Sequence, residues 1–270
     1  MVGKYQNSVS FSSYSLSCQN CYSGYVAKFG TNLNLIWVEE VKSSTSSSSM
    51  NGVDLIDDNK IYVTGTFYSE IDLDGTIFSA GGNQYGLVAE INSTGDWQWG
   101  TEIACSCGVS TYDLELDSYN NLYITGVSRN TISSGGLQLH PAGAQDDGFI
   151  LKLNSTGSVK WGKSFGGNNH DSFKSVYYDT NDKKLFVIGS FIDTATSGRF
   201  SVTSMGNDDI VIGILSGDYD GDDFTDVLDD DDDGDFINDL VDSCHYSQIG
   251  FISTGSSDHD SDGCDDETED

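Results

Sequence analysis

Aspartates near the end of the sequence carry a pattern with a definite chemistry. Asp218, Asp220, Asp222, Asp226 and Asp229 stand at positions 1, 3, 5, 9 and 12 of a loop, and Asp231, Asp233, Asp235, Asp239 and Asp242 repeat the spacing thirteen residues later. A third run, Asp258, Asp260, Asp262 and Asp266, ends in Glu269. Ca²⁺ is a hard cation that takes six to eight oxygens at about 2.3–2.6 Å. A tightly curled loop can aim the carboxylates of its first, third and fifth residues at one point, add the carbonyl of the seventh and close the shell from the twelfth. Phe224, Ile237 and Cys264 are then expected to offer carbonyls, with Asp229, Asp242 and Glu269 closing the loops. Gly221, Gly234 and Gly263 supply the permissive backbone that such a loop needs. Mg²⁺ fits less well, because it prefers a smaller, rigid octahedral shell and keeps several waters. Zinc would draw on His or Cys, and His245 and His259 have no paired ligand at zinc spacing.

The charge follows the same segment. The formal net charge is -31, and residues 218–270 hold 21 acids and no Lys or Arg. What precedes them is an ordinary acidic surface. A block of like charge can also be a solvated, unfolded tail, but such tails need neither a thirteen-residue period nor glycines at fixed offsets. Concentrated acid repels nucleic acid and anionic lipid, so neither is expected as a partner. No run of 18 apolar residues suggests a membrane helix.

The elements that must carry this segment form a repeat. Gly24-Tyr-Val-Ala-Lys-Phe29 recurs as Gly86-Leu-Val-Ala-Glu-Ile91 and Gly148-Phe-Ile-Leu-Lys-Leu153, each 62 residues on, with a degenerate copy from Ile210. Trp37, Trp99 and Trp161 keep that spacing, as do the turns Asn92-Ser-Thr-Gly95 and Asn154-Ser-Thr-Gly157. Tyr62-Val-Thr-Gly65, Tyr123-Ile-Thr-Gly126 and Phe186-Val-Ile-Gly189 follow with one residue of slippage. Short runs rich in Val, Ile, Tyr, Phe and Thr between Gly, Asn, Asp and Ser predict about four antiparallel strands per repeat. The returning Trp is expected to be a hydrophobic wedge between neighbouring sheets.

Gly-Phe-Ile-Leu-Lys-Leu-Asn-Ser-Thr-Gly-x-x-x-Trp, with the later Leu-Phe-Val-Ile-Gly, resembles the seven-bladed β-propeller repeat family of secreted bacterial and archaeal proteins. That resemblance implies an all-β chain of propeller-type blades: a partial unit over 1–23, units over 24–85, 86–147 and 148–209, and a partial unit over 210–217. These amount to about three and a half blades, an incomplete ring. Gly3 lies 62 residues before Gly65 and Tyr5 matches Phe67, so Met1 is expected to fall inside a repeat, with upstream blades and a signal peptide in a longer protein. The Thr-Gly-x-x-x-Trp portion is also similar to repeats of pyrroloquinoline-quinone dehydrogenases, although the adjacent cysteine pair typical of many of them is absent. Residues 218–270 resemble thrombospondin type 3 repeats, which wrap a chain around calcium; position 6, usually glycine there, is Asp223 in the first run and Phe236 in the second.

Six cysteines, Cys18, Cys21, Cys105, Cys107, Cys244 and Cys264, suit disulfides in an oxidising compartment. Cys18, Cys21, Cys105 and Cys107 could alternatively give four thiolates to zinc. Asn92 and Asn154 open Asn-Ser-Thr sequons and are equally good turn residues. Asp146 with Asp147, and Asp208 with Asp209, precede repeated strands and read as turn residues first. No His-Glu-x-x-His occurs. The expectation is therefore a calcium-binding protein of the cell surface or extracellular medium: a propeller platform for a protein or glycan ligand, and a calcium-stiffened spacer. An extracellular propeller enzyme, quinone-dependent or hydrolytic, is the alternative.

Overall fold

The computed structural model describes residues 1–12, 14–43, 47–106, 108–143, 145–198, 200–215 and 253–254. Two compact units are present, one of residues 1–177 with 187–212 and the other of residues 178–186 with 213–270. In the second unit the described part is small; there Asp179 Oδ1 accepts the backbone N–H of Asn181 at 2.9 Å and fixes a tight turn.

Every described element is a strand. The first sheet is β1 (Val2–Phe11), β2 (Tyr14–Phe29) and β3 (Leu35–Val41), in that order. Next come β4 (Ser48–Asp57), β5 (Lys60–Leu73), β6 (Thr76–Ile91) and β7 (Trp97–Cys105), then β8 (Val109–Leu116), β9 (Leu122–Ser128), β10 (Ile132–Ser134), β11 (Leu137–Leu139), β12 (Asp147–Leu153) and β13 (Val159–Gly167). The last are β14 (Ser172–Asp179), β15 (Lys184–Phe191), β16 (Thr194–Ser197), β17 (Phe200–Thr203) and β18 (Asp209–Leu215). Four antiparallel sheets result, the later three in the orders β11-β10-β7-β6-β5-β4, β17-β16-β13-β12-β9-β8 and β14-β15-β18. Among the described residues no sheet closes on itself and no propeller ring is formed.

The two middle sheets have six strands where four are expected, and the reason is a hairpin that reaches backwards. β10 and β11 lie between β9 and β12 in sequence, yet β10 pairs with β7 of the preceding sheet, Ile132 opposite Cys105. β16 does the same to β13, Ala195 opposite Gly167. In β5 the equivalent segment bridges Ile71 to Ser43, beyond the end of β3. Each repeat is thus tied by backbone hydrogen bonds to the one before it. The left-handed residues Asn7, Ser69 and Asp193, 62 or 124 residues apart, mark where the chain bends into this hairpin.

Apolar side chains seal the same junctions. Val26, Trp37 and Val41 of the first sheet meet Met50, Val63, Phe67, Leu87, Ala89 and Ile91 of the second. Tyr62, Val88 and Ile103 of the second meet Val109, Leu114, Ile124, Phe149 and Leu151 of the third. Successive residues of a strand point to opposite faces, so β6 sends Leu87 and Ala89 back and Val88 forward. This explains the continuous apolar runs: a strand covered on both faces has no polar side to alternate with. The recurring Thr-Gly of the central strands also has a cause. A Cβ on Gly65 or Gly126 would lie 2.2 Å from the carbonyl oxygen of Ser49 or Ser110, because β4 and β8 bulge at that level.

The tryptophan wedge is present at two junctions. Trp37 Nε1 donates to the Ser93 carbonyl in the next repeat at 2.8 Å. Trp99 lies under the next turn, with Thr101 Oγ1 donating to the Gly157 carbonyl at 2.8 Å. A Cβ on Gly157, whose φ is +80°, would stand 2.6 Å from the Trp99 ring. Gly157→Ala is therefore expected to cost about 2–4 kcal/mol in urea unfolding, combining left-handed backbone strain with overpacking. Gly75→Ala, at φ +92° with open space around it, should cost about 1–2 kcal/mol from the strain alone.

Candidate ligand cleft and a buried carboxylate

The inner edges of the first three sheets enclose a polar cleft of about 400 Å³. β1 and β2 contribute Lys4 and Tyr22, β4 contributes Ser49 and Asn51, β5 contributes Tyr68, and β8 contributes Tyr112. Tyr22 and Tyr68 are 45% and 38% exposed, so their rings are available to a ligand. The walls are fixed by a chain of hydrogen bonds. Tyr68 Oη donates to Gln84 Oε1, Gln84 Nε2 donates to Ser110 Oγ at 2.6 Å, and Asn51 Nδ2 donates to the Thr111 carbonyl at 2.6 Å. The Lys4 ammonium stands 5.6 Å from the Tyr22 ring centre, and Lys174 lies 3.9 Å from that of Tyr112.

The lining consists of hydroxyls, amides, three phenol rings and one ammonium, with no carboxylate. Such a set suits a ligand with many hydroxyls or amides: ring faces pack against its apolar faces while fixed donors and acceptors orient it. Sequence reasoning did not find these residues. They come from three repeats, and a period identifies equivalent positions without saying which of them converge on a concavity.

Acids converge elsewhere, at the start of β12. Asp147 is 1% exposed. Its Oδ2 accepts the Gly143 N–H at 2.7 Å, while its Oδ1 has no hydrogen-bond partner. Burial pushes its carboxyl up to about 6, against the opposing pull of the Gly143 N–H, and the neighbouring Asp171 charge adds to the rise. Asp171, 2% exposed, accepts the N–H groups of Gly167 at 2.7 Å and Ile192 at 2.9 Å, and burial raises its carboxyl as well. Asp146 forms a bidentate pair with Arg129, at 2.9 and 3.2 Å. In the last repeat Asp209 accepts the Met205 N–H at 2.6 Å, as Asp147 does from Gly143. The aspartate pairs are thus loop anchors, and among the described residues no group of three or more His, Cys, Asp or Glu is arranged to hold a metal.

The eighteen residues assigned to calcium, from Asp218 to Glu269, lie outside the described residues, as do Cys107, Cys244, Cys264, His245 and His259. Cys18 and Cys21 lie at disulfide distance, 2.13 Å between sulfurs. Cys105 is buried in the core, with the Ser128 hydroxyl donating to its sulfur at 3.4 Å. At Asn92 the turn reading is realised: Oδ1 accepts the N–H groups of Thr94 and Asp96, each at 2.9 Å. Asn154 Oδ1 does the same for Thr156 and Ser158, at 3.2 and 2.9 Å. The chain matches no protein family profile and no curated protein.

Asp147 makes stability depend on pH in an unusual direction. Below about pH 4 its carboxyl is neutral whether folded or unfolded, and between about 4 and 6 the folded state keeps a proton that the unfolded state releases. Above that range both states are ionised and the folded one carries a buried charge, so this contribution is lost as pH rises. Asp147→Asn is expected to stabilise the protein by about 1–3 kcal/mol at pH 7 and by nothing at pH 4 in chemical unfolding. Equal effects at both values would mean that the charge itself is not what costs stability.

Proposed function

We propose that this chain is a calcium-binding protein of the cell surface or extracellular medium, in which propeller-type blades form a platform for a protein or glycan ligand and the acidic segment is a calcium-stiffened spacer. The observation that carries the reading is the composition of the cleft: a rigid concavity of hydroxyls, amides, tyrosines and one ammonium in a chain of net charge -31. Ring faces and fixed donors and acceptors of that kind suit a polar ligand. Strands that return at a fixed period, each sheet resting on the next, support blades of propeller type. The Cys18–Cys21 pair supports an oxidising compartment, and the two aspartate runs with matching spacing support Ca²⁺.

Calcium titration of the full chain by calorimetry tests the metal, with chelator as control and Asp231→Asn/Asp233→Asn as the variant. Two or three ions are expected on the parent chain and at least one fewer on the variant; absence of saturable heat on the parent would remove calcium from the reading. An immobilised panel of oligosaccharides and surface proteins tests the cleft. Retention on one class that falls at least tenfold in Tyr22→Ala/Tyr68→Ala, with unfolding unchanged, is the expected outcome; retention unaffected by the variant would place the ligand elsewhere.

A further inference from the structure

Three sheets repeat one cross-strand pair at the level of the cleft, and its chemistry differs each time. Gln6 faces Tyr22 in the first sheet and Tyr68 faces Gln84 in the second. In the third, Arg129 and Asp146 stand one residue beyond the Ser128 and Asp147 pair. There the cation has its counter-ion, since Arg129 and Asp146 form the bidentate pair. In the first sheet the cation is Lys4, and what stands beside it is the Tyr22 ring, 5.6 Å from the ammonium to the ring centre. Lys4 holds the position of Thr66, whose hydroxyl accepts the Thr111 N–H of the following sheet at 3.3 Å. It therefore points forward, toward β4, and lines the cleft.

A second cation borders the cleft at Tyr112. A Cβ on Gly65, Gly126 or Gly189 would lie 2.2, 2.2 or 1.8 Å from the carbonyl oxygen of Ser49, Ser110 or Ser172 respectively. Those serines are thus equivalent, and two residues on, Asn51, Tyr112 and Lys174 share one position in three successive inner strands. In β4 and β8 it is the bulged residue, whose side chain turns away from the junction. The Lys174 ammonium stands over the Tyr112 ring, 3.9 Å from its centre.

Neither ammonium is matched by a carboxylate. Among the described residues Lys28 has Asp58 at 3.7 Å and Arg129 has Asp146, whereas Lys4 and Lys174 each have a phenol ring and no ion pair. Acids outnumber Lys and Arg in the chain by 43 to 12, yet none stands on the cleft wall. Neighbouring acids are engaged elsewhere. Glu40 accepts the hydroxyl of Tyr5, which lies on the opposite face of β1 from Lys4. Asp113 accepts from Ser175 Oγ at 2.6 Å and the Val176 N–H at 3.2 Å. An ammonium resting on a ring face keeps N–H donors for an anion.

We infer that the cleft takes an acidic glycan, with Lys4 and Lys174 holding its carboxylate or sulfate groups and Tyr22, Tyr68 and Tyr112 packing against its sugar faces. An acidic peptide fits less well, because the described wall has no aliphatic side chain to anchor one of its own. In a chain so acidic, an anionic ligand is repelled over most of the surface, and a local pair of unmatched cations selects where it lands. The inference rests on the cleft being the ligand site.

Retention of the full chain on immobilised oligosaccharides of matched length tests it, in chelator so that calcium cannot bridge sugar acids to the aspartate runs. The arms are a neutral, a uronate and a sulfated oligosaccharide and an acidic peptide. Retention on the uronate or the sulfated arm is expected to exceed that on the neutral arm by roughly tenfold or more, and the arm that leads identifies the anion. Lys4→Met/Lys174→Met should bring the ratio to about one, whereas Lys4→Arg/Lys174→Arg should keep it. Both lysines are exposed, so unfolding in urea should be unaltered in each variant. Equal retention of neutral and acidic saccharides overturns the inference, as do tightest retention on the peptide, no retention on any saccharide, and a preference that the methionine variant leaves intact. Equal retention that Tyr22→Ala/Tyr68→Ala still lowers would leave the cleft as the ligand site; retention indifferent to those tyrosines would remove that reading as well.

Discussion

A sheet with two apolar faces cannot stand alone in water, and every repeat of this chain is such a sheet. β12 illustrates the constraint: all seven of its residues, Asp147–Leu153, are buried. Its two faces are different surfaces with different clients. Phe149 and Leu151 look back to the second sheet and Ile150 looks forward. Stability in such an array is a sum of neighbour junctions, with no central core to compensate for one that fails. The backward-reaching hairpins answer this directly, adding backbone bonds between sheets to the side-chain seal.

Much of this was legible in the sequence because junctions repeat. Trp37 and Trp99 recur 62 residues apart for a physical reason: each covers the turn of the next repeat, where Ser93 and Gly157 accept hydrogen bonds. The turns are equally readable, since Asn92 and Asn154 spend their side-chain oxygens on the backbone of their own loops. The hairpin was harder to see. In β5 the chain runs from Tyr68 to Glu70 through left-handed Ser69 without any change in composition, so one long strand and a strand with a hairpin read alike. Its partner is also remote. No local pattern tells Ile132 to pair with Cys105, because backbone pairing leaves no mark on residue type. The cleft was hidden for a related reason. Lys4, Tyr22, Tyr68 and Tyr112 occupy positions that do not recur across the repeats, and they come together only where the first three sheets meet.

Charge is distributed by the same constraint. Junction faces cannot hold unpaired charge, and several acids of the β-body work as anchors. Asp117 accepts the N–H groups of Tyr119 and Asn121, each at 2.8 Å, and Asp113 reaches the next sheet to accept from Ser175 Oγ at 2.6 Å. Asp147 marks the limit of this use. It lies at a point where Gly143 approaches the Gly167 carbonyl so closely that an added Cβ would stand 1.5 Å from its oxygen. A carboxylate there organises two loops at once, at the expense of one buried oxygen without a donor.

The cleft follows from how the sheets meet. Their inner strands bulge, β4 between Met50 and Gly52 and β8 between Thr111 and Asp113. A bulge breaks the alternation of faces, turning side chains away from the junction and exposing backbone groups. Here those groups are met by side chains of the neighbouring repeat, as when Asn51 donates to the Thr111 carbonyl and Thr111 Oγ1 donates to the Gly65 carbonyl at 2.6 Å. Polar residues are therefore required along the inner edge for structural reasons. A surface rich in fixed donors and acceptors arises there before any ligand is considered. The residues there that the repeat leaves unconstrained include Lys4 and the tyrosines at 22, 68 and 112.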